Sequence, residues 1–391
     1  MNKKLFISDF SLINALGSNN TEIMNNLLLG SQDGFNLNKE RLNEGDIYIA
    51  DVLTELPSLS TYDKHWQSRN NQLALLAIEQ IRESIQQLID TVGKNRIAVV
   101  VGTSTSGINE GELAMQVKET AGEFPKEFDY RVQEMFNLAD FIAHELALSG
   151  LTYTISTACS SSAKAFKTAQ EFIDNGLCDA AIVGGVDSIC GMTINGFNAL
   201  QSTSSGICQP SSATRDGINI GEAAALCVLQ KNKGDICLLG VGESSDAHHM
   251  SAPHPEGEGA ITAMKQALKQ ASLQPSDVDY LNLHGTATRK NDDMEAKAVA
   301  NVFGTETACS SSKGMIGHTL GAAGATEIGF CWLLLKQGDA YAPHCWDNMI
   351  DNSMPALNLV KIGEKSVSKI TTCLSNSFAF GGNNVSVLIG L

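Results

Sequence analysis

At 391 residues, with 43% apolar and only 18% charged side chains, the chain has the composition of a compact, well-buried globular protein and not of a disordered one. Its formal charge of −16 and the absence of a Lys/Arg run argue against nucleic acid as a partner. No apolar stretch reaches the roughly eighteen residues of a membrane span, the nearest being Phe330 to Leu335. Ten cysteines with no CxxC pair predict reduced thiols and a cytoplasmic protein.

Leu5 to Ile13 alternates enough to be a strand, with Asp9 and Asn14 breaking any resemblance to a leader peptide. A capped helix ends near Gly30, and Phe35 to Thr61 reads as irregular. Leu73, Ile78, Ile81, Ile85 and Leu88 give Arg69 to Thr91 a helical period. Arg96 to Gly102 is a continuous apolar strand of the kind buried on both faces, followed by the small-residue turn TSTSG. The stretch from Asn109 to Leu148 is charged and mostly helical in pattern. Thr152 to Ile155 is a strand, Ser160 to Asn175 a helix rich in small residues, and Asp179 to Ser188 another buried strand.

The pattern then recurs. GINIGEAAALCVLQ and DICLLGVGES read as strands, followed by a helix near Gly259 to Ala271, the strand DYLNL, helices from Asp292 to Phe303 and Leu320 to Lys336, and a closing pair of strands around Gly381 and Gly382. Strands alternating with helices predict an α/β fold with a mainly parallel sheet, duplicated into halves 1–245 and 246–391.

Cys159 lies at a strand-to-helix junction, where unpaired N–H groups favour a negative charge, so its thiol is expected below the ordinary value of about 8.5. His284 follows the strand YLNL, at a strand end where sites form in open α/β sheets. Lys313 and His318 precede a helix whose Gly321 and Gly324 call for close packing. A thiolate can attack a thioester while imidazole and backbone donors hold the developing oxyanion. The same residues could form a zinc site, although separations of 125 and 34 residues are far from a local chelating motif.

TACSSS at Cys159, HGTATxxND at His284, KGxxGHTLGAAG at Lys313 and NSFxFGG at Phe378 together resemble the elongating β-ketoacyl-acyl-carrier-protein synthases over nearly the whole chain. The resemblance implies a thiolase-like fold, two βαβαβαββ halves forming a five-layered α-β-α-β-α body. It implies Cys159 as the acyl-accepting nucleophile and His284 and His318 as the pair that decarboxylates a malonyl thioester. Lys313 becomes a structural and electrostatic member partnered by Glu295, and the N–H groups of Cys159 and Phe380 form the oxyanion hole. Thr286 and Thr288 contact the phosphopantetheine arm, Phe378 and Phe380 line the site with Phe380 as its gate, and Ile108 lines a partner's acyl pocket. The implied substrates ride on an acyl-carrier protein, with no permanently bound cofactor and no metal. The implied assembly is a homodimer or a heterodimer with a homologous subunit, with DAAIVGGVDS and the TSTSG turn at its interface.

Ala379, Ser211 and Ala287 depart from the usual motif residues, a pattern similar to synthases of specialised clusters such as those making aryl polyenes. Two other readings are a non-catalytic chain-length or assembly subunit and a thiolase acting on coenzyme A thioesters. An acidic carrier needs local cations, for which Lys64, Arg69, Lys126 and Arg131 are the candidates.

Overall fold

The computed structural model describes residues 4–43 and 45–391. The first half runs β1 (Leu5–Ile13), α1 (Asn20–Leu29), β2 (Phe35–Asn38), β3 (Ile47–Ala50), α2 (Arg69–Val92), β4 (Ile97–Gly102) and α3 (Ile108–Ala121). It continues with α4 (Asn137–Glu145), β5 (Thr152–Ile155), α5 (Ser161–Asp174), β6 (Ala180–Asp187), α6 (Gly191–Ala199), β7 (Ile220–Gly221) and β8 (Ala223–Gln230). The second half runs β9 (Cys237–Ser245), α7 (Glu258–Ala271), β10 (Tyr280–Asn282), α8 (Arg289–Phe303), β11 (Ala308–Ser310), α9 (Lys313–Ile316) and α10 (Ala323–Gln337). The strands β12 (Asn358–Leu359), β13 (Thr372–Ala379) and β14 (Asn383–Gly390) close the chain.

The lateral strand order exposes the duplication. One flank of the sheet reads β1-β8-β6-β4-β5 and the other β9-β14-β13-β10-β11, with β12 added outside. Counting in chain order only the five strands of each flank, the first is followed in both by the fifth, fourth, second and third. The pairing sense repeats as well: antiparallel at the first two pairs and parallel at the last two. The second set opens with β9, so the division expected at residue 245 falls at the last residue of a strand that pairs with β14. β1 and β9 meet over two residue pairs, Leu5–Leu238 and Phe6–Cys237, which joins the flanks into one sheet of eleven strands.

Strand alternation accounts for the layers. In β4, Ile97, Val99 and Val101 enter a core with Leu73, Ile78 and Ile81 of α2 and Phe141 of α4. Ala98 and Val100 face the opposite way, into the core of α5 and α10, where Val385, Val387 and Ile389 of β14 arrive from the other half. A third core gathers Met264 and Leu268 of α7, Met294 and Val299 of α8, and Leu281, Leu374 and Leu388 of the sheet. These helices and sheet flanks form the five expected layers, with α5 and α10 in the middle. The small residues of α5 and α10 permit that sandwich: a β-carbon on Gly324 lies 2.7 Å from the β-carbon of Ala163, and one on Gly102 lies 2.3 Å from the backbone nitrogen of Ser162.

Three expectations change. The large sheet is not mainly parallel: five of its ten strand pairings are antiparallel and five parallel, because the first and last strands of each half pair at the centre. Phe35 to Thr61 contains β2 and β3, which pair with each other and with β7 in a separate three-stranded sheet. The polar composition of Asn36, Asn38 and their neighbours hides strands whose stability comes from this pairing. The strand of DAAIVGGVDS, β6, lies between β8 and β4 and is buried at all eight positions, so it offers no sheet edge to a partner. The edge on that flank is β5, with Tyr153 50% and the preceding Leu151 43% exposed.

Candidate active site

Three chain segments converge on one cavity of about 440 Å³. The first is the junction between β5 and α5. Ala158 adopts φ 52°, a left-handed conformation that is strained for alanine and turns the chain sharply at Cys159. Ser161 holds the turn, its hydroxyl accepting from Thr157 N–H at 2.8 Å and donating to the Ala158 carbonyl at 2.6 Å. Ser160 donates to the Thr157 carbonyl, while Ser162 accepts from Ala325 N–H across the middle layer. Each serine of the CSSS run therefore has a partner that fixes the cysteine.

The second segment follows β10. Gly285 and Ala287, at φ 38° and 62°, bend the loop so that His284, Thr286 and Thr288 all line the cavity. The two threonine hydroxyls lie 2.9 Å apart. Glu295 of α8 accepts from the N–H groups of His284 and Gly285, both at 2.7 Å.

The third segment follows β11. His318 is clamped to the first half by main-chain bonds, its N–H to the Asn219 carbonyl at 2.7 Å and its carbonyl from Gly221 N–H at 3.0 Å. His318 Nε2 is 3.0 Å from Cys159 Sγ, and the His284 and His318 rings are 5.4 Å apart and nearly perpendicular. Lys313 is 1% exposed, its Nζ donating to the His284 carbonyl and to Glu327 Oε1, each at 2.5 Å.

The lysine's carboxylate partner is thus Glu327 of α10, which corrects the pairing with Glu295 that the family resemblance implied. Glu295 is committed to two backbone donors of the His284 loop, whereas Glu327 projects from the buried helix beside Lys313. Burial pushes both carboxyls up to about 7, opposed at Glu295 chiefly by the N–H groups of Gly285 and His284 and at Glu327 by Lys313.

Burial also overturns the expected thiol acidity. The Cys159 thiol is pushed up to about 11, because loss of solvation outweighs Lys313 and the backbone N–H groups of Phe380 and Cys159, which all favour the thiolate. Those two N–H groups are the expected oxyanion donors, and both act on the sulfur. Burial, then the Lys313 charge, hold both imidazoles well below their usual range, so they are neutral near pH 7.

A neutral imidazole has one donor and one acceptor nitrogen. Leu320 N–H points at His318 Nδ1 at 3.3 Å, which assigns the proton to Nε2 and makes His318 a donor toward Cys159. The three side chains bring ligand atoms within 4.8 Å of one another, close enough for a metal. A metal on Nε2 requires the proton on Nδ1, where it opposes the Leu320 N–H, and places a cation near buried Lys313. The donor set fits an oxyanion better than a cation.

Phe378 is buried with its ring 6.2 Å from His284, while half-buried Phe380 closes the cavity against Phe197 of α6 at 5.5 Å. Beside it, Gly381 and Gly382 have φ of 81° and 74°, and Ala379 is extended at −97°. The left-handed backbone is therefore at the glycine pair, which adopts it without strain, and Ala379 occupies a conformation ordinary for alanine.

Other expected site residues lie elsewhere. Ile108 opens α3 and does not line this cavity. None of Lys64, Arg69, Lys126 and Arg131 lines it either. Lys64 pairs with Glu127, Arg131 with Asp129, and Arg69 with the fully buried Glu222. Spacing along the chain could not reveal those carboxylates. Of the residues not singled out from sequence, Asp187 at the end of β6 is the most connected. It accepts from Thr103, Ser104 and Thr105 of the TSTSG turn and from Ala322 N–H, tying that turn to the segment after His318.

The comparisons agree along the chain. Residues 17–234 match the family model described as "Beta-ketoacyl synthase, N-terminal domain" and residues 236–344 that described as "Beta-ketoacyl synthase, C-terminal domain". A 3-oxoacyl-[acyl-carrier-protein] synthase 2 of Staphylococcus aureus is 30% identical over 373 residues, covering 86% of this chain and 88% of that relative. The same enzyme of Coxiella burnetii is 28% identical over 412 residues, covering 99% and 98%. Among solved structures, a ketosynthase (ApeO) in complex with its chain length factor (ApeC) from Xenorhabdus doucetiae matches with a TM-score of 0.94, 42% identity, and coverage of 100% of this chain and 98% of that one.

Proposed function

The chain belongs to the β-ketoacyl synthase family and is a condensing acyltransferase with a thiolase-like fold, and from that premise we propose how its residues divide the reaction. The acyl group moves from an acyl-carrier protein's phosphopantetheine thiol to Cys159 Sγ. The sulfur attacks the thioester carbonyl, the N–H groups of Cys159 and Phe380 receive the negative oxygen, and the carrier thiol leaves with a proton. A malonyl thioester then enters past Thr286 and Thr288. The donors of His284 and His318 stabilise its thioester oxygen as the carboxylate departs as carbon dioxide. The resulting enolate carbon attacks the acyl carbonyl and expels Cys159 sulfur, giving the 3-oxoacyl thioester on the carrier.

The observation that carries this assignment is the neutral His284–His318 pair beside Cys159 Sγ, with His318 Nε2 donating at 3.0 Å. Lys313 acts through others: its bond to the His284 carbonyl positions the loop, and its charge adds to burial in keeping the imidazoles neutral. Mass spectrometry of the protein incubated with acylated carrier protein tests the assignment by locating the adduct. Acylation at a residue other than Cys159 rejects it.

The complex with a chain length factor in the 42%-identical structure favours a second, homologous chain as partner over a second identical one. We place that partner on the exposed edge of β5. Sedimentation of the chain alone and with a co-expressed homologue separates the two cases, since a stable dimer of the chain alone supports the homodimer. We also place the division between halves in the turn joining β8 to β9, and the protein in the cytoplasm, in keeping with ten free cysteines and no helix among the described residues long and apolar enough to cross a membrane.

A further inference from the structure

The cavity that ends at Cys159 is lined by three cations, Arg215, Arg289 and Lys290. Arg215 is 3% exposed and engaged by Asp293 at 2.5 Å and Asp351 at 2.6 Å. Its capture of Asp293 matters for the other two. Asp293 stands four residues after Arg289 on α8, the spacing at which an acid neutralises a base on a helix, and it is turned to Arg215 instead. Arg289 and Lys290 are exposed, and neither has a carboxylate within ion-pair distance among the described residues.

Two unpaired cations beside each other on the lining of this cavity stand out on a chain of net charge −16, whose overall charge repels an approaching anion. They occupy the two positions that the HGTATxxND motif leaves open, so the reaction chemistry does not dictate them. Along the lining exposure falls from these cations through half-buried Thr288 to buried Thr286, His284, His318 and Cys159. That sequence of groups complements a ligand with a phosphate at one end, amides in the middle and a thioester at the other.

We propose that Arg289 and Lys290 form a phosphate subsite that grips the phosphodiester of the carrier protein's phosphopantetheine arm and sets its depth in the cavity. The inference rests on the condensing reading above and adds to it the point of recognition. Guanidinium and ammonium donors to a phosphate oxygen form charge-assisted bonds, and the exposed setting makes them sensitive to salt.

The test measures acylation of Cys159 by butyryl thioesters of pantetheine, 4′-phosphopantetheine, coenzyme A and holo-carrier protein, in the wild type and in Arg289→Ala/Lys290→Ala. The wild type is expected to prefer the phosphopantetheine thioester over the pantetheine one by about tenfold in KM, the size of a charge-assisted bond pair. In the double variant that preference collapses toward unity, and the carrier-borne thioester loses at least as much as the coenzyme A thioester. Arg289→Lys/Lys290→Arg restores most of it.

A preference that persists in the alanine variant, or that the wild type lacks, overturns the subsite. A loss confined to the carrier-borne thioester overturns it in favour of contact with the carrier's protein surface. A larger loss with coenzyme A overturns the assignment to the carrier arm. Acylation of the wild type by the phosphate-free pantetheine thioester checks the condensing reading separately, because it involves no phosphate.

Discussion

Cys159 and the Lys313–His318 pair occupy corresponding places in the duplicated halves. Each lies between the third strand of its half and the helix that enters the middle layer, after β5 in one case and β11 in the other. The first junction is tight: α5 begins two residues after Cys159, two serines bond the turn shut and a third ties it to α10. The second is stretched by α9 and a 3₁₀ turn at Leu320–Ala322, giving room to present a lysine and an imidazole in different directions. The loops after β4 and β10 diverge in the same manner. Thr103 to Thr105 spend their donors on Asp187, whereas the His284 loop turns its side chains into the cavity. The duplicated fold thus sets where the loops meet, and the hydrogen bonds made inside each loop decide whether it holds the frame or faces substrate.

The comparison breaks most severely at Cys159. Cys159→Ser should lower condensation by more than about a thousandfold, since a hydroxyl stays protonated where sulfur can ionise. Formation of the 3-oxoacyl product at a rate near wild type contradicts the tight junction's role. The direction of its acidity is testable in the free protein. With the thiol raised to about 11, the thiolate fraction and the rate of alkylation by iodoacetamide should keep rising past pH 9, and a plateau near the ordinary thiol value rejects dominance by burial.

At the stretched junction, Glu327→Ala leaves Lys313 charged and unpaired in the interior, a loss of about 3–5 kcal/mol of stability in denaturant unfolding. Lys313→Ala in the same chain should recover part of it, while pairing it with Glu295→Ala should not. The reverse pattern restores Glu295 as the lysine's partner. Replacing His284 or His318 with alanine should raise the decarboxylation barrier by about 2.7–4 kcal/mol, the effect of losing one oxyanion donor. Acyl loading of Cys159 should suffer less. Equal loss of both half-reactions contradicts the division between the two junctions.

The smallest effect is expected at the gate. Ala379 is extended and unstrained while the positive φ angles are at Gly381 and Gly382, so Ala379→Gly adds freedom to a hinge that already has two glycines. It should speed acyl loading less than about threefold and lower stability by about 0.5–1 kcal/mol. Phe380→Ala, which removes the ring packed on Phe197, should change loading more. Unchanged single-turnover acylation in both variants excludes a gate at this loop.

The sequence alone determined the periodic elements, the duplication and the motif residues to which the reaction is assigned, because those depend on local pattern. The continuous apolar run of β4 and the small residues of α5 are legible without coordinates, and so are Cys159, His284, His318 and Lys313 in their motifs. Tertiary structure decided whatever depends on groups distant in the chain. It gave Lys313 to Glu327, sealed Arg69 against Glu222, placed β6 inside the sheet and left β5 at its edge. It also raised the thiol that a helix N-terminus alone would lower, since desolvation sums over every neighbour brought in by folding, whereas a helix end acts only within its first turn.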